Sequence, residues 1–352
     1  MAPRLIAVMN QKGGVGKTTL TVNLGAALGR MGKEVLLLDL DPQANLSIHL
    51  NVDIHNLACS VYDVLVGEEP LERAVLYHLR PGLSLVPANI DLSGAEVELV
   101  NAVGRETLLR DALKPYIEEH SFDFVFFDCP PSLGILSLNA LAAAREVFIP
   151  IQTEFFALQG LAKLLGVIDL IARRLNPSLH LSRVIPTMYD TRTSLSKEVL
   201  EDIKNHFGDA VTRTVIRKNV RLAEAPSHGR TIFEYAHAAP GARDFDMLAR
   251  EILGEAVEEQ PPAPARRNER RSQTARQAKP QDRGRERTAG PVEVRSTTGR
   301  FALLHRHKKR LYPLSRNGVG FGRSVGRRRK RTKRLLHRKR GRRRAVPAVS
   351  YA

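Results

Sequence analysis

Three groups of residues in this chain have types and spacing suited to phosphate chemistry. The first is Lys12-Gly13-Gly14-Val15-Gly16-Lys17-Thr18-Thr19. It fits the phosphate-loop pattern G-x-x-x-x-G-K-[ST], with Asn10-Gln11 and the Lys12-Gly13 turn forming a slightly shorter loop that ends in Gly16-Lys17-Thr18. Glycines let successive backbone N–H groups converge on phosphate oxygens; Lys17 would reach the β- and γ-phosphates and Thr18 would hold Mg²⁺. The second group is Asp39-Leu40-Asp41 and the third is Asp128, which closes the run Phe122 to Asp128. Strands often end in Asp at a turn, so Asp128 alone says little. Beside a phosphate loop it reads as the carboxylate that orients Mg²⁺ through water. Either Asp39 or Asp41 could serve metal or water, because phosphoryl transfer asks chiefly for positioning.

These residues need a sheet edge to bring them together. Leu5 to Met9 reads as a strand before the loop, and Leu20, Leu24, Leu28 and Met31 give the following helix an apolar side. Glu34 to Asp39 and Phe122 to Asp128 read as strands buried on both faces, each delivering a carboxylate at its carboxyl end, where ligands collect in open α/β sheets. Leu83 to Pro87, Glu146 to Ile151, Ser182 to Tyr189 and Val211 to Ile216 supply further strands. Val61–Val66, Leu71–Leu79, Leu158–Leu175, Ser194–Phe207 and Arg243–Leu253 read as helices, and Gly94 to Glu118 as mostly helix with a break near Pro115. The alternation predicts an α/β fold: a doubly wound, mostly parallel sheet with helices on both faces. His49, His55 and His78 lack metal-ligand spacing and read as surface or packing residues, and Cys129 as a buried filler.

Charge divides the chain in two. Residues 257–352 carry 30 of the 55 Lys and Arg and only 6 of the 37 Asp and Glu, a net +24, which leaves 1–256 at −6. Pro, Arg, Gln and Gly dominate the tail and apolar periodicity vanishes there. Such a segment is expected to be disordered, because it cannot bury enough apolar surface to offset its ordering entropy. Pattern-free, arginine-heavy sequence is also what a GC-rich gene yields when read out of frame. Cys59 and Cys129, 70 positions apart, offer neither a disulfide framework nor a CxxC site. No run of about 18 apolar residues suggests a membrane span, so a cytoplasmic protein is expected.

The run Ile6 to Thr19 with Leu38 to Asn45 closely resembles the ParA/Soj chromosome-partitioning ATPases, within the deviant-Walker group that also contains MinD. The similarity continues through Phe127 to Leu133, Gln152 to Leu161, Asp190-Thr191-Arg192-Thr193 and Asn219 to Gly229, covering 1–254 and none of the tail. It implies ATP hydrolysis with Mg²⁺, coupled to reversible homodimerisation on nonspecific DNA and stimulated by a ParB-like partner, in a protein associated with the nucleoid. It implies that Lys12 reaches across a sandwich dimer to the partner's ATP. Asp41 then orients the attacking water, Asp39 lies near the metal, and Met188 and Asn219 join the loop in contacting nucleotide. Arg192 and Arg221 are the implied DNA contacts. Where relatives often read Ile-Pro-x-Asn, this chain has Ile216-Arg217-Lys218-Asn219, so Arg217 could stack on adenine or join the DNA patch. A MinD-like membrane-cycling ATPase shares the motifs. The mixed charges of the closing helix favour a helix packed on the sheet over a membrane anchor, and the lack of CxxC argues against an iron–sulfur carrier.

Overall fold

The structure, a computed structural model, describes residues 2–155, 157–158 and 160–255. The tail expected to be disordered lies outside the described residues. Seven strands form one sheet: β1 (Arg4–Val8), β2 (Val35–Asp39), β3 (Leu76–Arg80), β4 (Leu83–Val86), β5 (Phe124–Asp128), β6 (Glu146–Gln152) and β7 (His180–Thr187). Their order is β3-β4-β2-β5-β1-β6-β7, parallel except for β3. Period-two side-chain alternation makes every inner strand serve two cores. Ile6 and Val8 of β1, Leu37 of β2 and Phe126 of β5 face the helices Lys17–Arg30 and Pro240–Ile252. Ala7, Leu36, Leu38, Val125 and Phe127 face the opposite layer, which includes Leu108–Glu119, Ile135–Ala143 and Leu161–Arg174. This is the doubly wound α/β fold expected. The closing helix is tied to the start of the sheet, for Arg4 donates from Nη1 to the Ile252 carbonyl at 2.9 Å and pairs with Glu146.

Three elements depart from expectation. Leu71–Leu79 is not one helix: a single turn, Leu71–Ala74, gives way to β3, an edge strand that runs antiparallel to β4 through Pro81-Gly82. The cause is the hairpin, whose Gly82 takes φ +63 and whose bulge holds His78 at φ 51. The helix Leu108–Glu119 runs through Pro115, giving up one backbone bond while Leu109, Leu113 and Tyr116 anchor it in the core; the break falls earlier, before Leu108, around Gly104 at φ 72. Val211–Ile216 touches β7 only at isolated positions. Glu251 of the closing helix accepts the amides of Arg213 and Thr214 at 2.7 and 2.9 Å, and this draws the segment off the sheet.

Close approach also explains one glycine. A Cβ on Gly29, in the first long helix, would sit 2.3 Å from the Pro81 carbonyl oxygen of the β3–β4 turn. Helix propensity alone favours Gly29→Ala by about 1 kcal/mol. Overpacking against backbone reverses the sign, so the variant is expected to lose about 2 kcal/mol in urea unfolding; a stabilised variant would show that the turn moves freely.

Candidate nucleotide and hydrolysis site

The phosphate loop leaves β1 at the middle of the sheet, where β5 and β6 flank it. Asn10 fixes the first turn: its Nδ2 donates to the Pro150 carbonyl at 2.8 Å, and its Oδ1 accepts the Lys12 amide at 3.0 Å. Thr187 at the end of β7 donates from Oγ1 to the Val15 carbonyl at 2.9 Å. These two anchors went unassigned from sequence; Asn10 lay beside the motif, whereas Thr187 carries no local signal. Gly14 and Gly16 take left-handed φ of 73 and 91, and a Cβ at Gly13, Gly14 or Gly16 would meet no heavy atom within 4 Å. The loop therefore encircles open space. Lys17 is buried beneath it. The helix it begins has neither a side-chain cap nor an acid in its first turn, leaving its first N–H groups for an anion.

Parallel pairing brings the carboxylates together. Asp39 and Asp128 are register partners at the ends of β2 and β5. Thr18 donates from Oγ1 to Asp128 Oδ2 at 2.6 Å, and Thr21 to Oδ1 at 3.3 Å. Burial raises the Asp128 carboxyl to about 8, with the charge of Asp39 adding to the shift. Burial likewise raises Asp39 to about 6, against the opposing bonds from Ser47. Two like charges forced together in low dielectric, beside a hydroxyl, suit a divalent cation. Among the described residues no three His, Cys, Asp or Glu side chains form a metal cage, so phosphate and water would complete its shell.

The two acids of Asp39-Leu40-Asp41 have different surroundings. Asp39 is fully buried, its Oδ2 accepting the Ser47 amide and hydroxyl at 2.9 and 2.8 Å and its Oδ1 the Asp41 amide at 3.3 Å. Asp41 is only partly buried and accepts the Gln43 amide on Oδ1 at 3.0 Å. Lys12 is exposed and pairs within its own chain with Glu154, Nζ to Oε2 at 3.0 Å.

The remaining candidates lie along the β7 exit. Met188 holds φ 52, and its sulfur accepts from Gln152 Nε2. Asn219 caps the turn Val220–Glu224 through Oδ1, while its buried Nδ2 has no protein partner. A bridge between Tyr189 and Arg217 sets these two segments side by side. Arg217 has a partner that the sequence did not show: its backbone amide and guanidinium bind the buried Asp244, with the guanidinium at 2.5 to 3.1 Å. Asp244 at zero exposure needs that cation. Arg192 is 84% exposed and paired with Asp190, which it holds below the usual carboxylate range; Arg221 is 57% exposed and paired with Glu224. Both cations face solvent, each with a carboxylate at its side. Lys218 also bears on Asp190.

A central parallel sheet, an open glycine loop and paired strand-end carboxylates define a phosphate-loop nucleoside triphosphatase. Residues 3–181 match the family described as AAA domain. The chain is 46% identical over 250 residues to the chromosome partitioning protein ParA of Caulobacter vibrioides, covering 71% of this chain and 94% of that one. It is 47% identical over 250 residues to the chromosome-partitioning ATPase Soj of Treponema pallidum, covering 71% and 97%. A crystal structure of cobyrinic acid a,c-diamide synthase from Mycobacterium smegmatis with bound ADP and magnesium is 37% identical, with TM-score 0.63 over 75% of this chain and 100% of that one. This chain belongs to the ParA/Soj family of partitioning ATPases.

Both strand-end carboxyls titrate above their unfolded value, so through them the nucleotide-free protein loses stability as pH rises from about 4 towards 8. Asp128→Asn is expected to gain on wild type across that window, by about 1–3 kcal/mol at its upper end in urea unfolding. It should also lose the rise in melting temperature that Mg²⁺ and nucleotide give wild type. An advantage independent of pH would contradict this account of Asp128.

Proposed function

We propose that this protein is a Mg²⁺-dependent ATP hydrolase that moves a chromosome or plasmid by cycling on and off DNA. The observation that carries the reading is the buried Asp39–Asp128 pair joined to Thr18 at the mouth of the glycine loop. The backbone of residues 13–19 and buried Lys17 cradle the triphosphate. Thr18 and Asp128, with Asp39 behind them, would hold Mg²⁺, which would supply positive charge to the triphosphate there. Asp41, the less enclosed acid, orients the attacking water. Met188 and the spare Nδ2 of Asn219 take the base side.

Lys12 completes the site of a second copy, which ties nucleotide state to dimerisation. Its bond to Glu154 is a surface pair, weak enough to be exchanged for a partner's triphosphate. Arg192 and Arg221, with Lys218, contact DNA phosphates, so affinity is nonspecific and falls with salt. A ParB-like protein stimulates hydrolysis and releases the dimer, which otherwise resides on the nucleoid. The two partitioning relatives named above align over almost their whole length with 250 residues of this chain, which supports an ATPase body of 1–256 and a separate tail, 257–352. A MinD-like membrane cycle finds less support, because the apolar face of the closing helix, Phe245, Leu248, Ala249 and Ile252, is packed in the core.

Full-length protein with ATP and Mg²⁺ is expected to bind duplex DNA at least about tenfold more tightly than with ADP or no nucleotide. Lys12→Ala and Lys17→Ala should abolish that gain, the first leaving ATP binding intact and the second removing it. Equal DNA affinity in all nucleotide states, once residues 257–352 are removed, would refute the switch.

A further inference from the structure

The turn 229–232 is gripped from both sides by elements that carry the nucleotide site. On one side stands Asn23, fully buried in the phosphate-loop helix. Its Nδ2 donates to the Thr19 carbonyl in the first helical turn at 2.8 Å, and its Oδ1 accepts the Ile232 amide at 2.8 Å. On the other side stands His49, 1% exposed, at the end of the helix Asn45–His49. Its Nε2 lies 3.1 Å from the Arg230 carbonyl. A carbonyl only accepts, so Nε2 carries the proton, and burial lowers the ring to about 4, keeping it neutral at physiological pH. The same short helix carries Ser47, whose amide and hydroxyl hold Asp39. The turn itself has little slack: a Cβ on Gly229 would lie 2.6 Å from Asn51 Cβ, and Arg80 donates to the Gly229 carbonyl at 3.0 Å.

Beyond the turn lies a shared carboxylate. Ile232 begins the helix Ile232–Ala236, whose Tyr235 donates its hydroxyl to Glu224 Oε2 at 3.0 Å. That same oxygen pairs with Arg221 at 2.8 Å. A displacement of Ile232–Ala236 against Val220–Glu224 therefore changes how tightly Glu224 holds Arg221. Neutralised by Glu224, Arg221 is a poor phosphate ligand; released, it is a good one.

We propose that Asn23 and His49 are positioning residues that carry the state of the phosphate loop and of Asp39 to Arg221, by way of the turn 229–232 and the Tyr235–Glu224 contact. The proposal rests on the partitioning reading in taking Arg221 as a DNA contact. It gives that reading a physical linkage: nucleotide shifts the phosphate-loop helix and the Asn45–His49 helix, and both pull on one turn. Neither residue touches nucleotide or DNA.

The test uses full-length His49→Phe, which keeps a ring but loses the donor, His49→Gln, which keeps a donor, and Asn23→Leu. With ATP and Mg²⁺, His49→Phe and Asn23→Leu are expected to bind a fluorescent ATP analogue within about twofold of wild type yet lose at least about tenfold in ATP-dependent DNA affinity. His49→Gln should stay within about threefold of wild type, a rescue that loss of packing alone would not produce. Tyr235→Phe, a substitution that leaves the buried core alone, should also weaken DNA binding, since Glu224 is then left to Arg221. Amide hydrogen exchange supplies a readout free of DNA. A non-hydrolysable ATP analogue should slow exchange at Ile232 in wild type and not in Asn23→Leu. Wild-type DNA affinity in His49→Phe and Asn23→Leu, or an Ile232 amide indifferent to nucleotide in the wild type, would overturn the linkage. DNA binding indifferent to nucleotide in the wild-type sequence even after residues 257–352 are removed, with exchange still responding, would instead overturn the partitioning reading and leave the linkage from the phosphate loop to the turn standing.

Discussion

Two carboxylates at the ends of adjacent parallel strands, both removed from water, are the constraint around which the molecule is built. Asp39 and Asp128 cannot both be ionised there without a cation, and the strands that present them are buried on both faces, so neither can swing out to solvent. Nearby polar groups are occupied in making that arrangement tolerable: Thr18 and Thr21 on one acid, Ser47 on the other. In the unliganded protein a proton on Asp128 relieves the repulsion, and a bound cation takes that proton's place.

Much of this architecture is written plainly in local sequence. The strands bearing Asp39 and Asp128 stand out because a strand buried on both faces leaves an uninterrupted apolar run, and the carboxylates closing two such runs gain meaning beside a phosphate loop. The glycine loop stands out because close approach to phosphate tolerates few side chains. The hairpin of β3 was hidden for the opposite reason. Its half-exposed residues, Leu76 to Arg80, have no pattern of their own and are recruited by β4. The Pro81-Gly82 pair was the available clue.

Side-chain partnerships across long sequence separations could not be read at all. Arg217 suggested stacking or DNA contact, and nothing in its surroundings pointed to buried Asp244 as the partner the fold gives it. His49 is indeed a packing histidine, as its spacing implied, but its partner is a carbonyl 181 residues away. Asn23 gave no signal among the apolar residues of its helix, since its value lies in an amide 209 residues distant. A residue's type states what it can bind; only the fold states what is within reach.

The bond from Arg4 to the carbonyl of Ile252 has a consequence for biosynthesis. The central strand emerges first from the ribosome, yet the helix that covers one of its faces and receives its leading arginine is the last element of the body. Until some 250 residues have been made, Ile6 and Val8 lack that cover, and the phosphate loop hangs from a strand without its final support. Nascent chains thus acquire a fully supported nucleotide pocket only when the body is complete.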